Sequence, residues 1–386
     1  MTTDYAPIPR MTRSDFGLQL TKGARGGRLP LAGTLEVTPY CNLKCAHCYM
    51  VRSPWNGHQL ACNEVCRILD ELAEEGCMWL LLTGGEPFLR EDFLEIYTHA
   101  LKKGFLVSIS TNGTLLTDDI VHYLEEWKPL DVEITLYGAT RETYQRVTGS
   151  AEAFDRCRQA IDLLLKAGVP LQLKTTVMSL NVAEVPEMRT FAQSLGLKFR
   201  FDSMITPRLD GSRGVCQVRL SPEEVVRAEL EDPEVRKGLT DLGRGYMGPP
   251  DSPSDRLFTC GAGQSTFHID AGGHLHPCVM VTEPRYDLTT GTFRDGFYQF
   301  IPSLVSRERT KSSQCQVCSD RGVCQICPGW AQLETAHLEE RPVPYLCQVA
   351  YLRARAISSM GKEDSLPGDR DLSCASDTGR ERGQSS

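Results

Sequence analysis

The run Cys41-Asn-Leu-Lys-Cys45-Ala-His-Cys48-Tyr49 sets three thiols in a C-x3-C-x2-C spacing, with an aromatic residue directly after the last. Three thiolates this close can hold three irons of a cubane [4Fe–4S] cluster. With no fourth local cysteine, one iron stays open to a non-protein ligand. An open iron marks a cluster that does chemistry, by the logic that separates open from closed metal sites. The competing arrangement is a zinc knuckle using Cys41, Cys45, His47 and Cys48, which the same spacing allows.

A second set lies towards the C-terminus. It runs Cys260-x17-Cys278, then Cys315-x2-Cys318-x5-Cys324-x2-Cys327, then Cys347. Iron–sulfur ligation suits these short spacings, and a zinc ribbon at Cys315, Cys318, Cys324 and Cys327 is the alternative. Sixteen cysteines in 386 residues would suggest disulfides in a small secreted domain. Here Met1–Arg10 has no apolar core of a signal peptide, so metal ligation is the better reading. Cys62, Cys66, Cys77 and Cys157 fall in helical or strand patterns and read as small buried hydrophobes. His274 and His276 read as hydrogen-bonded loop histidines.

Positioning these groups requires a scaffold, and residues 33–202 supply an alternating pattern. Strands are expected at Thr34–Val37, Met78–Thr83, Leu106–Thr111, Asp131–Leu136, Leu171–Val177 and Lys198–Asp202. Helices are expected near Ala61–Glu75, Glu91–Lys103, Asp118–Trp127, Ala151–Ala167 and Ala183–Leu195. Such alternation means parallel βαβ units, in a partial (β/α)6 TIM-like barrel or a doubly wound sheet. Residues 203–259 read as a Pro- and Gly-rich bridge with one short helix, capped by Ser221-Pro222-Glu-Glu224. Residues 260–350 are cysteine-dense and poor in periodic runs, so metals rather than a large apolar core are expected to hold them. The tail 362–386, with Cys374, reads as disordered.

The strand ends carry the remaining polar motifs. The first strand runs into Thr38-Pro-Tyr-Cys41, and the second ends in Thr83-Gly84-Gly85-Glu86-Pro87. The third ends in Ser110-Thr-Asn112-Gly113, the fourth carries Glu133-Ile-Thr135, and the fifth Lys174-Thr-Thr176. Catalytic groups of α/β barrels gather at these carboxyl ends. A lone Gly-Gly-Glu-Pro is most often just a turn, but this ordered series behind the cysteine triad resembles the radical S-adenosylmethionine (SAM) enzymes. The resemblance implies that Cys41, Cys45 and Cys48 hold a [4Fe–4S] cluster whose open iron chelates SAM. An electron from that cluster then cleaves SAM to a 5′-deoxyadenosyl radical. It also implies a SAM pocket formed by Tyr49, Gly84, Gly85, Glu86, Pro87, Ser110, Asn112, Thr135 and Lys174, with Glu86 and nearby carbonyls on the SAM ammonium. The C-terminal cysteines resemble the SPASM extension, with a slightly long first gap and a final x2 spacing as departures. That likeness implies two auxiliary [4Fe–4S] clusters. One uses Cys315, Cys318, Cys324 and Cys347. The other uses Cys260, Cys278 and Cys327, and is open or completed by a group such as Asp255 or Cys216.

The net charge of −8 argues against a large nucleic-acid surface, and the basic stretch Lys22–Arg28 reads as a flexible loop. No apolar run reaches the roughly 20 residues that span a bilayer, so a cytoplasmic enzyme is expected. No GxGxxG follows the first strand, which excludes a nicotinamide fingerprint. SPASM relatives most often act on peptides, so the resemblance implies an oxidative peptide maturase that forms a thioether, a carbon–carbon crosslink or a related bond. Its electron donor would be of the flavodoxin or ferredoxin type. Only about 30 residues precede the first strand, so recognition of a peptide would fall to the barrel or to a separate protein. Sulfatase maturation is disfavoured because Gly261, not Asp, follows Cys260. A small-molecule or tetrapyrrole substrate, and a non-catalytic iron–sulfur or zinc scaffold, are the alternatives.

Overall fold

In the computed structural model the described residues are 19–20, 28–50, 59–246, 256–309, 313–339 and 341–360. Lys22–Gly27, Asp255, the tail from residue 362 and Cys374 lie outside them. Six strands alternate with helices: β1 (Ala32–Thr38), β2 (Trp79–Gly84), β3 (Leu106–Thr111), β4 (Asp131–Thr135), β5 (Leu171–Thr176) and β6 (Phe199–Asp202). All pair in parallel in the order β6-β5-β4-β3-β2-β1. A doubly wound sheet reverses its strand order at a switch point. This order never reverses, which decides for the partial barrel.

One face of the sheet, carrying Leu80, Leu82, Val107, Ile109, Val132 and Ile134, is buried beneath the helices. These are α1 (Cys62–Glu74), α2 (Phe93–Lys102), α3 (Asp118–Glu126), α4 (Arg141–Thr148), α5 (Glu152–Lys166) and α6 (Val185–Ser194). Helix α4 was not anticipated. Its eight residues are too few for a periodic signal, although its ends are marked. The Thr140 hydroxyl accepts from the Thr143 N–H, and Gly149 closes the helix in the left-handed region at φ 80°.

The bridge holds two helices where one was expected, α7 (Pro222–Glu231) and α8 (Pro233–Tyr246). The capping box at Ser221 and Glu224 forms as the sequence implied. Asp232 begins α8 by accepting from the N–H groups of Glu234 and Val235.

The extension does not stand apart. Its first strand, β7 (Thr266–Ile269), pairs in parallel with β1, so the sheet continues past the barrel edge. Antiparallel β8 (His274–His276) and β9 (Tyr286–Asp287) complete nine strands. Nor do metals alone hold residues 260–350. Phe267, Leu275, Phe293, Phe297, Ile301 and Trp330 join the same apolar core as the barrel. Sequence periodicity missed this core because its side chains come from many short segments. After α9 (Pro328–Thr335), the long α10 (Pro344–Met360) returns to the bridge. There Arg353 donates to both carboxylate oxygens of Glu229 at 2.8 and 2.6 Å and to the Val323 carbonyl, while Ser203 donates to Glu229. Both charged side chains are buried.

Removing one member of such a pair strands the other charge. Arg353→Met is expected to cost about 3–5 kcal/mol of stability. The double variant Arg353→Met/Glu229→Met is expected to cost clearly less. Urea denaturation followed by tryptophan fluorescence checks both.

Candidate active site at the carboxyl ends of the strands

The cysteine loop leaves β1 and is clamped at both ends by backbone. On one side the Gly85 N–H donates to the Thr38 carbonyl and the Glu86 N–H to the Tyr40 carbonyl, each at 2.8 Å. This approach is why two glycines stand here. A Cβ on Gly84 (φ +143°) would fall 2.3 Å from the Thr38 oxygen, and one on Gly85 2.0 Å from the Tyr40 oxygen. On the other side the N–H groups of Lys44 and Ala46 donate to the carbonyls of Thr148 and Val147, at the end of α4. The Leu43 N–H points at the Cys41 sulfur (3.4 Å), and the Asn112 amide lies 3.9 Å from it. Cys45 is buried. The Tyr137 phenol sits against it and Cys41, pushed well above its ordinary range by burial and then by the two thiols.

Above the loop opens a cavity of about 1040 Å³, at the upper end of the range for ligand sites. Cys41, Cys45 and Cys48 line it together with Tyr49, Gly84, Gly85, Ser110, Asn112, Thr135 and Lys174. Lys174 donates to Ser110 (2.8 Å) and to Glu133 (2.6 Å), and Glu133 also holds Arg200. Burial pulls the Lys174 ammonium below its ordinary range, and Glu133 opposes that. Glu86 and Pro87 lie beneath the wall. The Glu86 carboxylate is fully buried and accepts from the Thr111 hydroxyl (2.7 Å), the Asn112 N–H (2.8 Å) and the Phe88 N–H (3.3 Å). It ties the ends of β2 and β3 together, while the two glycines face the cavity.

Cys278 of the extension reaches the same cavity. Burial pushes its thiol up to about 11, and the nearby thiols of Cys327 and Cys260 add to the shift. Cys324, raised chiefly by burial, feels Cys318. Cys315 is buried and Cys347 lies exposed on α10. Cys216 sits among Arg219, Glu334 and Arg213. None of the fifteen described cysteines is in a disulfide. Cys77 and Cys157 are buried as expected, whereas Cys62 and Cys66 are only part-buried, their sulfurs 4.0 Å apart on one face of α1.

Among the described residues no three His, Cys, Asp or Glu side chains are gathered to hold a single metal ion. The donor set at the loop does fit an iron–sulfur cube: three thiols on one short loop, an N–H donor aimed at one sulfur and a large cavity above. Several lining residues were not singled out from the sequence, among them Tyr137, Arg208, Phe267 and His268. Tyr137 was within reach, since it follows Thr135 at the end of the fourth strand.

A partial barrel with this triad at its mouth defines a radical SAM enzyme. Residues 35–192 match the radical SAM superfamily, so the chain carries a radical SAM domain, and its relatives include peptide maturases of the SPASM type. Mycofactocin maturase MftC of Mycobacterium tuberculosis is 28% identical over 333 residues, covering 84% of this chain and 82% of that protein. AdoMet-dependent heme synthase of Methanosarcina barkeri is 36% identical over 162 residues, 42% of this chain and 46% of that one. Streptococcus suis SuiB, solved bound to its precursor peptide SuiA, shares the fold with a TM-score of 0.67. The match spans 89% of this chain and 83% of SuiB at 16% identity.

Burial raises the Glu86 carboxyl from 4.5 to about 7, against three hydrogen bonds that lower it. The folded state thus holds a proton that the unfolded chain releases at lower pH. Stability attached to this group is full below pH 4.5 and falls as pH rises towards 7. Between pH 5 and pH 8 the wild type is expected to lose up to about 3 kcal/mol relative to Glu86→Gln. Denaturation of the cluster-free protein at the two pH values checks the difference.

Proposed function

We propose that this radical SAM enzyme oxidatively modifies a ribosomally made peptide, forming a thioether, a carbon–carbon crosslink or a related C–H functionalisation. One observation carries the reading: the cysteine triad and Cys278 of the extension open onto one cavity. The similarity to a peptide maturase along most of both chains supports it. When bound, the cluster and SAM together supply a carbon-centred radical that takes a hydrogen atom from an unactivated C–H bond.

In this reading Cys41, Cys45 and Cys48 hold the SAM-binding [4Fe–4S] cluster. Gly84 and Gly85 let backbone approach the SAM ammonium, and Glu86 positions that turn from below. Tyr49, Ser110, Asn112, Thr135 and Lys174 orient the rest of the cofactor, and the apolar wall excludes water. Cys315, Cys318, Cys324 and Cys347 hold a closed auxiliary cluster suited to electron transfer. Cys260, Cys278 and Cys327 hold a second one beside the cavity. A flavodoxin- or ferredoxin-type donor in the cytoplasm reduces the enzyme, and the barrel or a separate protein recognises the peptide.

The heme synthase similarity favours a second reading, a tetrapyrrole or other small-molecule substrate. That match covers under half of each chain, so it speaks for the shared radical chemistry more than for the substrate.

Anaerobic reconstitution with iron and sulfide, followed by SAM and dithionite, is expected to yield 5′-deoxyadenosine by mass spectrometry. In the Cys41/Cys45/Cys48 triple serine variant it is expected to fall to the no-enzyme background. Persistence in that variant would overturn the assignment of the triad.

A further inference from the structure

Tyr137 lines the cavity together with Cys41 and Cys45, and its surroundings hold it in one place. The strand ladder runs one residue past β4, because the Leu136 N–H donates to the Lys174 carbonyl (2.8 Å). Strand alternation therefore carries Tyr137 to the same side as Thr135, and both line the cavity. The Tyr137 carbonyl accepts from the Asn181 amide (3.1 Å), and the Asn181 side-chain oxygen accepts from the Met178 N–H (2.8 Å). Gly138 comes next, where a Cβ would fall 2.5 Å from the Thr143 methyl group. The ring is fixed as well. It meets Tyr144 edge-on, with centroids 5.7 Å apart and planes at 87°, and tilts against His47 at 5.9 Å. This packing aims the hydroxyl at the Cys45 sulfur, which it hydrogen-bonds, with the Cys41 sulfur close by.

Packing alone does not call for that hydroxyl, since a phenylalanine ring would fill the same space. Its use lies with the sulfur. Tyr137 is 8% exposed and Cys45 9%, so a Cys45 thiolate is largely shielded from water. The thiolate is the form that binds metal. A hydrogen bond to an ionised acceptor is roughly twice as strong as one between neutral groups. Hydrogen bonds to the ligand sulfurs are one of the levers that set the potential of an iron–sulfur cluster. An added electron makes those sulfurs more negative, so a donor aimed at one of them favours the reduced state. Cys41 has donors of its own, the Leu43 N–H at 3.4 Å and the Asn112 amide at 3.9 Å. The Leu43 donor is backbone, whereas the Tyr137 hydroxyl can be removed with the ring left in place.

We propose that Tyr137 acts through Cys45, donating its O–H to the Cys45 thiolate and so raising the reduction potential of the cluster held by Cys41, Cys45 and Cys48. This rests on the assignment of the triad in the radical SAM reading above. One electron passes from the external donor to the cluster, and no bond of Tyr137 breaks. The phenol keeps its proton in both oxidation states. Its effect is to make the one-electron reduction less uphill for a donor of the flavodoxin or ferredoxin type.

The test is a redox titration of the reconstituted full-length protein, followed by electron paramagnetic resonance. The reduced signal that changes when SAM is added is that of the open cluster. In Tyr137→Phe the iron and sulfide content is expected to match the wild type, while the midpoint of that signal falls. The expected loss is about tenfold in the reduction equilibrium, or about 59 mV for one electron. Any signal that does not respond to SAM keeps its midpoint. In D2O, pulsed measurements on the same signal are expected to show one exchangeable deuteron fewer in the variant. An unchanged midpoint, or deuteron coupling retained in full, overturns the proposal and leaves the triad reading standing. A variant that no longer takes up the cluster would make Tyr137 an assembly residue and overturn the tuning role. A SAM-responsive signal that survives in the Cys41/Cys45/Cys48 triple serine variant overturns the triad reading, and the proposal with it.

Discussion

The site depends on two backbone hydrogen bonds, from the Gly85 and Glu86 N–H groups to the carbonyls of Thr38 and Tyr40. They fix the chain just before Cys41, and they form only because residues 84 and 85 lack a Cβ. Any larger residue would drive carbon into the carbonyl oxygens of the opposing loop. The Gly-Gly-Glu-Pro turn is therefore first a clamp on the cysteine loop and second a cavity wall. Glu86 completes the clamp by joining the turn to Thr111 and Asn112, and Asn112 in turn contacts Asn42 and approaches Cys41. Beginning with the clamp, one connected set of hydrogen bonds thus spans the ends of β1, β2 and β3. A loop held this way keeps its thiols in place without metal, which lowers the ordering cost of cluster assembly.

Electrostatics around the cavity follow a consistent rule. Charged groups near its floor are paired, as Lys174 is with Glu133 and Ser110. Groups without an opposite charge shift towards neutrality, as Glu86 does by burial. This is the cheaper state for an ionisable group away from water. A site of this kind holds polar ligands by directed hydrogen bonds in place of water.

The long βαβ alternation was legible in the sequence because each strand and helix there is periodic over enough residues to show its type. The cysteine triad and the strand-end motifs were legible for a different reason: they are local, and their order at successive strand ends is what set them apart from isolated turns. What escaped was short or non-local. Helix α4 is too brief for a period, although its Thr140 cap and Gly149 stop could have been read. The extension's core is assembled from Phe267, the neighbouring pair Phe293 and Phe297, and Trp330, three stretches that no single window brings together. Glu86 is the converse case: the motif singles out the carboxylate, and only the structure shows that it accepts from Thr111, Asn112 and Phe88.

The pairing of β7 with β1 explains how a barrel open on one side gains a cysteine of the extension, Cys278, at the same cavity. An unpaired strand edge invites another strand, and here the extension supplies it in parallel register. From β7 the chain turns through β8 directly into Cys278, so the position of that thiol is set by the sheet register and not by a loose linker. The pins between the bridge and the extension act in the same sense. Arg213 and Arg219 both grip Glu334, one helix beyond Cys327, and Arg353 grips Glu229. Cys278 and the cysteine triad are thereby held against one cavity by sheet hydrogen bonds, a shared apolar core and ion pairs.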